Sequence, residues 1–140
     1  MLRKEFVDAK RIVIKLGTNV LRNADGEVAI SRIYSFIEDM SKLVKQGKEV
    51  ILVTSGAVGL GKKKLNLDST AEDGVKQACA AVGQSRLMSF YENGFGIFDV
   101  PIAQILLTED DFSLRYRYLS LRTTLNKILE FGVVPIINQN

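Results

Sequence analysis

The stretch EVILVTSGAVGLG, residues 49 to 61, leaves little freedom in what this chain can become. A short apolar run, Val50 to Val53, passes through Thr54 and Ser55 into Gly56, and small residues with glycines at 56, 59 and 61 carry the backbone toward a helix start. Strand, tight turn and helix together are the unit from which α/β sheets are assembled. They are also an anion site in outline. The first amides of a helix lack intrahelical partners, the helix dipole is positive there, and glycine lets a ligand come close to the backbone. The same glycines would serve a crossover turn that needs only close packing, and the stretch alone leaves both readings open.

The flanking sequence supplies the rest of a βαβ unit. RIVIKLGTNVL predicts a buried strand, Arg11 to Leu16, broken by Gly17. Asn23-Ala24-Asp25-Gly26 marks a turn. Residues 31 to 46 then form the clearest helix, with Ile33, Phe36, Ile37, Met40, Leu43 and Val44 recurring on one face, Ser31 able to cap its start and Gly47 its end. A strand from Glu49 to Thr54 follows directly, so the crossover is right-handed and Lys15 and Ser55 meet at the carboxyl edge of a parallel sheet. Open α/β sheets bind ligands at that edge. Lys15 is out of place in its apolar run, since a buried ammonium is costly without a counter-charge. It reads either as a strand-end lysine that snorkels to solvent or as a lysine held in a crevice to meet phosphate, with Gly17 opening the backbone beside it.

Gly56 to Lys62 has the spacing G-x-x-x-x-G-K of a P-loop, but Lys63 stands where magnesium needs Ser or Thr, and glycines at 56, 59 and 61 do not make G-x-G-x-x-G. The three lysines 62 to 64 read as the solvated end of a short helix. A second long helix is expected over residues 71 to 93, bent near Gly83, with Val75, Ala78, Cys79, Val82, Leu87, Met88 and Tyr91 as core packing. A third strand follows from Val100 to Leu107, entered through Pro101. Thr108-Glu109-Asp110-Asp111 invites a metal reading, yet a Thr with an acid three residues on is the pattern of a capping box, which is preferred. A helix over 116 to 130 buries Leu119, Leu125, Ile128 and Leu129, and Gly132 ends it before a fourth strand, Val133 to Ile137, that runs into Asn138-Gln139-Asn140.

Composition narrows the partners. At 140 residues and 46% hydrophobic content the chain can bury a sizeable core as one unit. A balance of 19 basic to 16 acidic residues, net +3, is too slight and dispersed for nucleic acid but suits a small anionic ligand. Arg115-Tyr116-Arg117-Tyr118 points around a helix and reads as a mostly solvated face. The single Cys79, in an Ala-rich stretch, reads as a buried structural thiol, and with no His a typical zinc site is not expected. No apolar run reaches the length of a membrane span, and the expected location is cytoplasmic. Ending on the carboxyl end of a buried strand, the sequence reads as the first half of a longer α/β protein.

RIVIKLGTNVL, VILVTSGAVGLGKKKL, KQACAAVGQSRLM, QILLT and VVPIINQN occur in the order and at the spacings of the amino acid kinase family, and the chain resembles that family over nearly its whole length. Single motifs are weak, but KLGT, VTSGAV, AAVGQSRL and VPIIN together are specific. The resemblance implies a three-layer αβα sandwich with a mostly parallel central sheet, of which this chain is the amino-terminal half. That half binds the phosphoryl acceptor; ATP is held mainly by the other. Within the family the likeness is to the branch that uses ATP and Mg2+ to phosphorylate the side-chain carboxylate of L-glutamate, opening proline synthesis and commonly restrained by proline. Acetylglutamate, carbamate or uridylate kinases, or a non-catalytic ligand-binding fragment, are the alternatives.

Carried over by motif, Lys15 resembles the lysine that meets the transferring phosphoryl group of ATP, and Gly17 and Gly56 the glycines whose amides line it. Ser55 resembles the serine that binds glutamate, and Asn138 and Asn140 match an N-x-N-D turn that also contacts it. The aspartate of that turn lies beyond this sequence, as do the family's second lysine, its metal-organising aspartate and its adenine-binding loops. The isolated 140 residues are therefore expected to be inactive. Homo-oligomers, common in the family, are expected. The lack of His is no objection, because a carboxylate nucleophile arrives already ionised and phosphoryl transfer needs positioning and charge neutralisation.

Overall fold

The structure, a computed structural model, describes residues 7–138. Strand β1, Arg11–Leu16, alternates as its sequence demands: Leu16 is buried, while Arg11, Val13 and Lys15 face the other way and are exposed. Helix α1, Thr18–Leu21, is a single turn that follows Gly17. Helix α2, Ile30–Lys45, buries Ile33, Ile37 and Met40 and returns the chain to β2, Glu49–Thr54. Its end is a Schellman motif. Gly47 has φ +85°, its N–H bonds the carbonyl of Val44 at 3.0 Å and the Lys48 N–H that of Leu43 at 3.0 Å.

Two helices follow β2, α3 over Ala57–Lys64 and α4 over Val75–Ile97. Strand β3, Ile102–Ile105, the short α5, Asp110–Ser113, helix α6, Arg115–Glu130, and β4, Val134–Asn138, complete the described chain. Within the sheet every strand pairing is parallel and the strand order is β1-β2-β4-β3. In register, Leu16 lies opposite Thr54 and Thr54 opposite Asn138, so the carboxyl ends of three strands finish level. The core is on one face, where Ile33, Ile37, Met40, Leu60, Leu87, Tyr91 and Phe95 from α2, α3 and α4 pack on Leu16, Val50, Leu52, Val134 and Ile136. Helix α6 covers the opposite face, its Asn126 Oδ1 accepting a 3.0 Å hydrogen bond from Arg11. The layers are those of the expected αβα sandwich.

Several boundaries differ from the sequence expectation. Ser31 does not cap α2; Ala29 stands at the cap and no side chain fills it. The second long helix runs without a break through Gly83, from Val75 to Ile97, rather than over 71 to 93. The third strand is only Ile102–Ile105, because Pro101 precedes the ladder and Leu106 is 78% exposed. Of the residues expected to be buried on α6 only Leu129 is, Leu125 and Ile128 are half-buried, as is Leu121, and Leu119 is left 42% exposed. The capping reading of Thr108 to Asp111 is met in one half: Asp111 Oδ2 accepts the Thr108 N–H at 2.6 Å and its hydroxyl at 3.0 Å, which draws the Asp111 carboxyl below the usual range, while Glu109 stands at the cap of α5 with no side chain capping it. Gly61 is buried within α3, so the P-loop-like spacing spans a helix rather than a phosphate loop.

Gly61 and Gly83 explain how α3 sits on α4. A Cβ at Gly61 would lie 1.7 Å from the Cys79 carbonyl oxygen, and one at Gly83 would lie 1.6 Å from that of Ala57. The helices therefore cross antiparallel, backbone on backbone, and Cys79 and Ala57 are fully buried there. Gly96, near the end of α4, has nothing within 4 Å of a Cβ. Gly83→Ala should accordingly cost about 1–3 kcal/mol or more, since two backbones must part, whereas Gly96→Ala should gain about 0.5 kcal/mol from helix propensity. Denaturant unfolding of both variants checks this; equal midpoints would refute the close-contact reading.

Candidate functional site

Lys15, Gly17, Thr18, Asn19, Val20, Ser55, Gly56, Val58 and Gly59 line one open cleft of ≈ 610 Å³ at the carboxyl edge of β1 and β2. Register brings them together. Lys15 lies opposite Val53 and Leu16 opposite Thr54, so the turns that leave both strands open side by side. Lys15 is exposed on the sheet face opposite the core. The burial that made it anomalous in sequence is thus not met, and its ammonium needs no buried counter-charge. Among the described residues it forms no salt bridge.

Gly56 is the hinge of the cleft. Its φ of +98° is in the left-handed region, where a side chain is strained, and it stands as the N-cap of α3 with no side chain capping it. The first backbone bond into the helix is from the Leu60 N–H to the Gly56 carbonyl, at 3.1 Å. The amides of Ala57, Val58 and Gly59 therefore have no intrahelical acceptor, and Val58 and Gly59 line the cleft. Ser55 is turned away from capping and shares a 3.3 Å hydrogen bond with the Thr18 hydroxyl, which ties the two turns together. Gly17 has ordinary backbone angles and open space where a Cβ would be. Neither conformation nor packing requires glycine there, while a side chain would project at the cleft. A lysine, a set of unpartnered amides and two small hydroxyls make an anion-binding surface.

Asn138 belongs to the neighbouring strand and does not line this cleft. It pairs with Thr54 at the end of β4 and lies on the α4 side, where its Nδ2 donates to Gln84 Oε1 in a short hydrogen bond. Asn140 lies outside the described residues. Next to Asn138, the Thr54 hydroxyl and the Tyr91 hydroxyl of α4, both fully buried, share a 2.6 Å hydrogen bond. Burial disfavours the phenolate and pushes Tyr91 up to about 12, although the Thr54 bond opposes the shift.

Gln84 and Thr18 were missed by sequence reasoning, while Tyr91 is in the core as expected. A signal was there for Gln84: it is a polar residue seven places before Tyr91, hence on the same stripe of an otherwise apolar helix face. No carboxylate lines the cleft, and no cluster of three or more His, Cys, Asp or Glu suits a metal among the described residues.

Comparison with known proteins agrees with this geometry. The pattern of the amino acid kinase family matches residues 10–140. The chain belongs to the amino acid kinase family. Its relatives in that family include the glutamate 5-kinases of Desulfotalea psychrophila, 48% identical over 99% of this chain and 38% of that protein, and Geobacter metallireducens, 46% identical over 94% and 35%. The glutamate 5-kinase of Myxococcus xanthus is 45% identical over 99% of this chain and 37% of its own length. The chain thus spans little more than a third of these curated relatives. Among the described residues no helix is long and apolar enough to cross a membrane.

The Tyr91 shift carries a sign that can be measured. In the unfolded chain the phenol ionises near 10, while in the folded family member it stays protonated to about 12. Stability present below pH 10 should therefore be lost as pH rises toward about 12. Unfolding midpoints of the parent should fall more steeply across that window than those of Tyr91→Phe, and parallel slopes would contradict the assignment.

Proposed function

We propose that this chain is the amino-terminal, glutamate-binding part of a glutamate 5-kinase, and that it presents the γ-carboxylate of L-glutamate to ATP. The observation that carries the reading is the cleft in which exposed Lys15 faces the uncapped start of α3 at left-handed Gly56. The names of the relatives supply the acceptor.

In this reading an oxygen of the ionised γ-carboxylate attacks the terminal phosphorus of ATP. A carboxylate O–P bond forms, the bond from phosphorus to the bridging oxygen breaks, and ADP leaves with that electron pair, giving L-glutamyl 5-phosphate, the first intermediate of proline biosynthesis. No proton has to be removed from the nucleophile. What the protein contributes is alignment and neutralisation of the charge spread over the transferring group. Lys15 provides a point charge and the amides around Gly17 and Gly56 provide directed donors, while Ser55, held by Thr18, offers a hydroxyl to the acceptor. Mg2+, which the family implies, finds no carboxylate among the residues lining this cleft, and none of these roles runs through it. Proline as a feedback inhibitor, homo-oligomeric assembly and a cytoplasmic location belong to the same reading.

The test is ADP release by the full-length kinase with glutamate, acetylglutamate, carbamate or UMP as acceptor; turnover only with an acceptor other than glutamate would overturn it. Lys15→Ala should lower kcat by roughly 10²–10³, the loss of one preorganised transition-state donor. Gly17→Ala should leave the melting temperature unchanged and still lower kcat/KM, because nothing in the fold needs that glycine. Ser55→Ala should weaken glutamate binding by about 0.5–1.5 kcal/mol and spare ATP. Steady-state kinetics with each substrate varied separates these effects, and equal weakening toward both substrates would mean that the turn had been distorted.

A further inference from the structure

Arg22 carries a charge that the fold holds in place without neutralising it. It follows α1, pairs with Val28 in a single antiparallel bridge and is half-buried, lining a cavity of ≈ 440 Å³ with Thr18, Asn19, Asn23, Ala24 and Gly26. Thr18 and Asn19 also line the cleft, so the two spaces share a wall. The guanidinium is fixed from two sides. Its Nε donates to the Gly26 carbonyl at 3.2 Å, and its head lies on Gly59, where a Cβ would come within 2.3 Å of Nη1. The acids nearest in sequence are engaged elsewhere: Glu27 pairs with Lys63, and Asp25 Oδ1 accepts the Glu27 N–H at 3.0 Å. Among the described residues Arg22 forms no salt bridge.

Gly59 is the third residue of α3, and a cation beside the first turn of a helix stands at the unfavourable end of its dipole. Neither the bond to Gly26 nor the packing on Gly59 calls for a charge, since a neutral donor would serve both. Arg22 thus adds a fixed positive charge behind a cleft that already presents Lys15 and unpartnered amides and is lined by no carboxylate. We propose that Arg22 is a specificity-determining residue, which acts across Gly59 to tune the cleft toward the doubly charged phosphoryl group over a singly charged carboxylate. The inference rests on the kinase reading and deepens it, since it names the charge state that this site favours. An anion in the cleft relieves the repulsion among these positive groups, and because Coulomb energy scales with the ligand's charge, a dianion gains about twice what a carboxylate gains.

The experiment uses the full-length kinase. It compares KM for glutamate, whose γ-carboxylate carries one negative charge, with the inhibition constant of the phosphonate analogue of L-glutamyl 5-phosphate, whose end carries close to two. Arg22→Gln sets an amide nitrogen where Nε stood, so the bond to Gly26 persists while the charge is lost; the phosphonate should weaken about tenfold and glutamate about threefold. Arg22→Lys keeps the charge and gives up the Nε donor, and both constants should stay within about twofold of the parent. Gly59→Ala, whose methyl displaces the guanidinium, should weaken the phosphonate in the same direction as Arg22→Gln and add nothing when the two are combined. Should Arg22→Gln fail to fold, Gly59→Ala decides the matter, and an unchanged phosphonate constant in it overturns the inference. So does an Arg22→Lys variant as impaired as Arg22→Gln, or a phosphonate that weakens by the same factor as glutamate. A parent that releases no ADP with glutamate overturns the kinase reading and this inference with it; an active parent with unaffected Arg22 variants overturns the inference alone.

Discussion

The contact on which the rest of this structure depends is between two backbones. Where Gly61 meets the Cys79 carbonyl and Gly83 meets that of Ala57, no room exists for even a methyl group. That approach fixes α3 on α4, and since α3 begins immediately after Gly56, it also fixes the direction in which the turn leaving β2 delivers its amides. A strand-to-helix turn on its own would be free to tilt. Held at Ala57, it has one orientation, and the left-handed Gly56 is the link that lets the strand reach it.

The same anchoring divides the carboxyl edge of the sheet into two kinds of chemistry. The cleft side presents a lysine and unpartnered amides, which suit a group carrying distributed negative charge. Toward α4, the edge is closed by side chains paired through defined donors and acceptors, buried Thr54 with Tyr91 and Asn138 with Gln84. Thr54 and Asn138 are neighbours across the ladder, and Ser55 follows Thr54. The parallel register therefore keeps the open cleft and the buried pairs within one strand's width, at a fixed separation.

Much of this was legible in the sequence because two periodicities and one kind of punctuation dominate it. The apolar runs at 11 to 16 and 49 to 54, with the amphipathic stretch between them, dictate a βαβ unit, and the alternation along β1 places Lys15 at the edge beside Ser55. Glycine was harder. Gly17, Gly56, Gly61 and Gly83 are alike on paper, yet one is open, one is left-handed and two are close contacts, distinctions that depend on tertiary neighbours. The expected bend at Gly83 was misplaced for this reason: the glycine serves a neighbouring helix and leaves its own unbroken. For Lys15 only the burial was misjudged, since the apolar run around it suggested cover on both faces, whereas the face it shares with Val13, itself 62% exposed, is only partly covered by α6. Gln84 was passed over because a helix rich in Ala, Val and Leu reads as packing, and its partner lies 54 residues away.

A chain without histidine and with no carboxylate at its cleft has few means of moving protons there, and the chemistry proposed for it requires none. A carboxylate acceptor is already a nucleophile near neutral pH, so a general base would add nothing to its attack. The difficulty lies instead in bringing two anions together. Lys15 and the amides of the α3 start are directed at that electrostatic problem, and they are preorganised by contacts far from any ligand: a glycine on a carbonyl, a threonine on a tyrosine. Reorganisation that would otherwise be paid during the reaction has been met when the chain folds. In the proposed reading, what α4 contributes is to hold the start of α3, and with it the backbone donors, in one orientation.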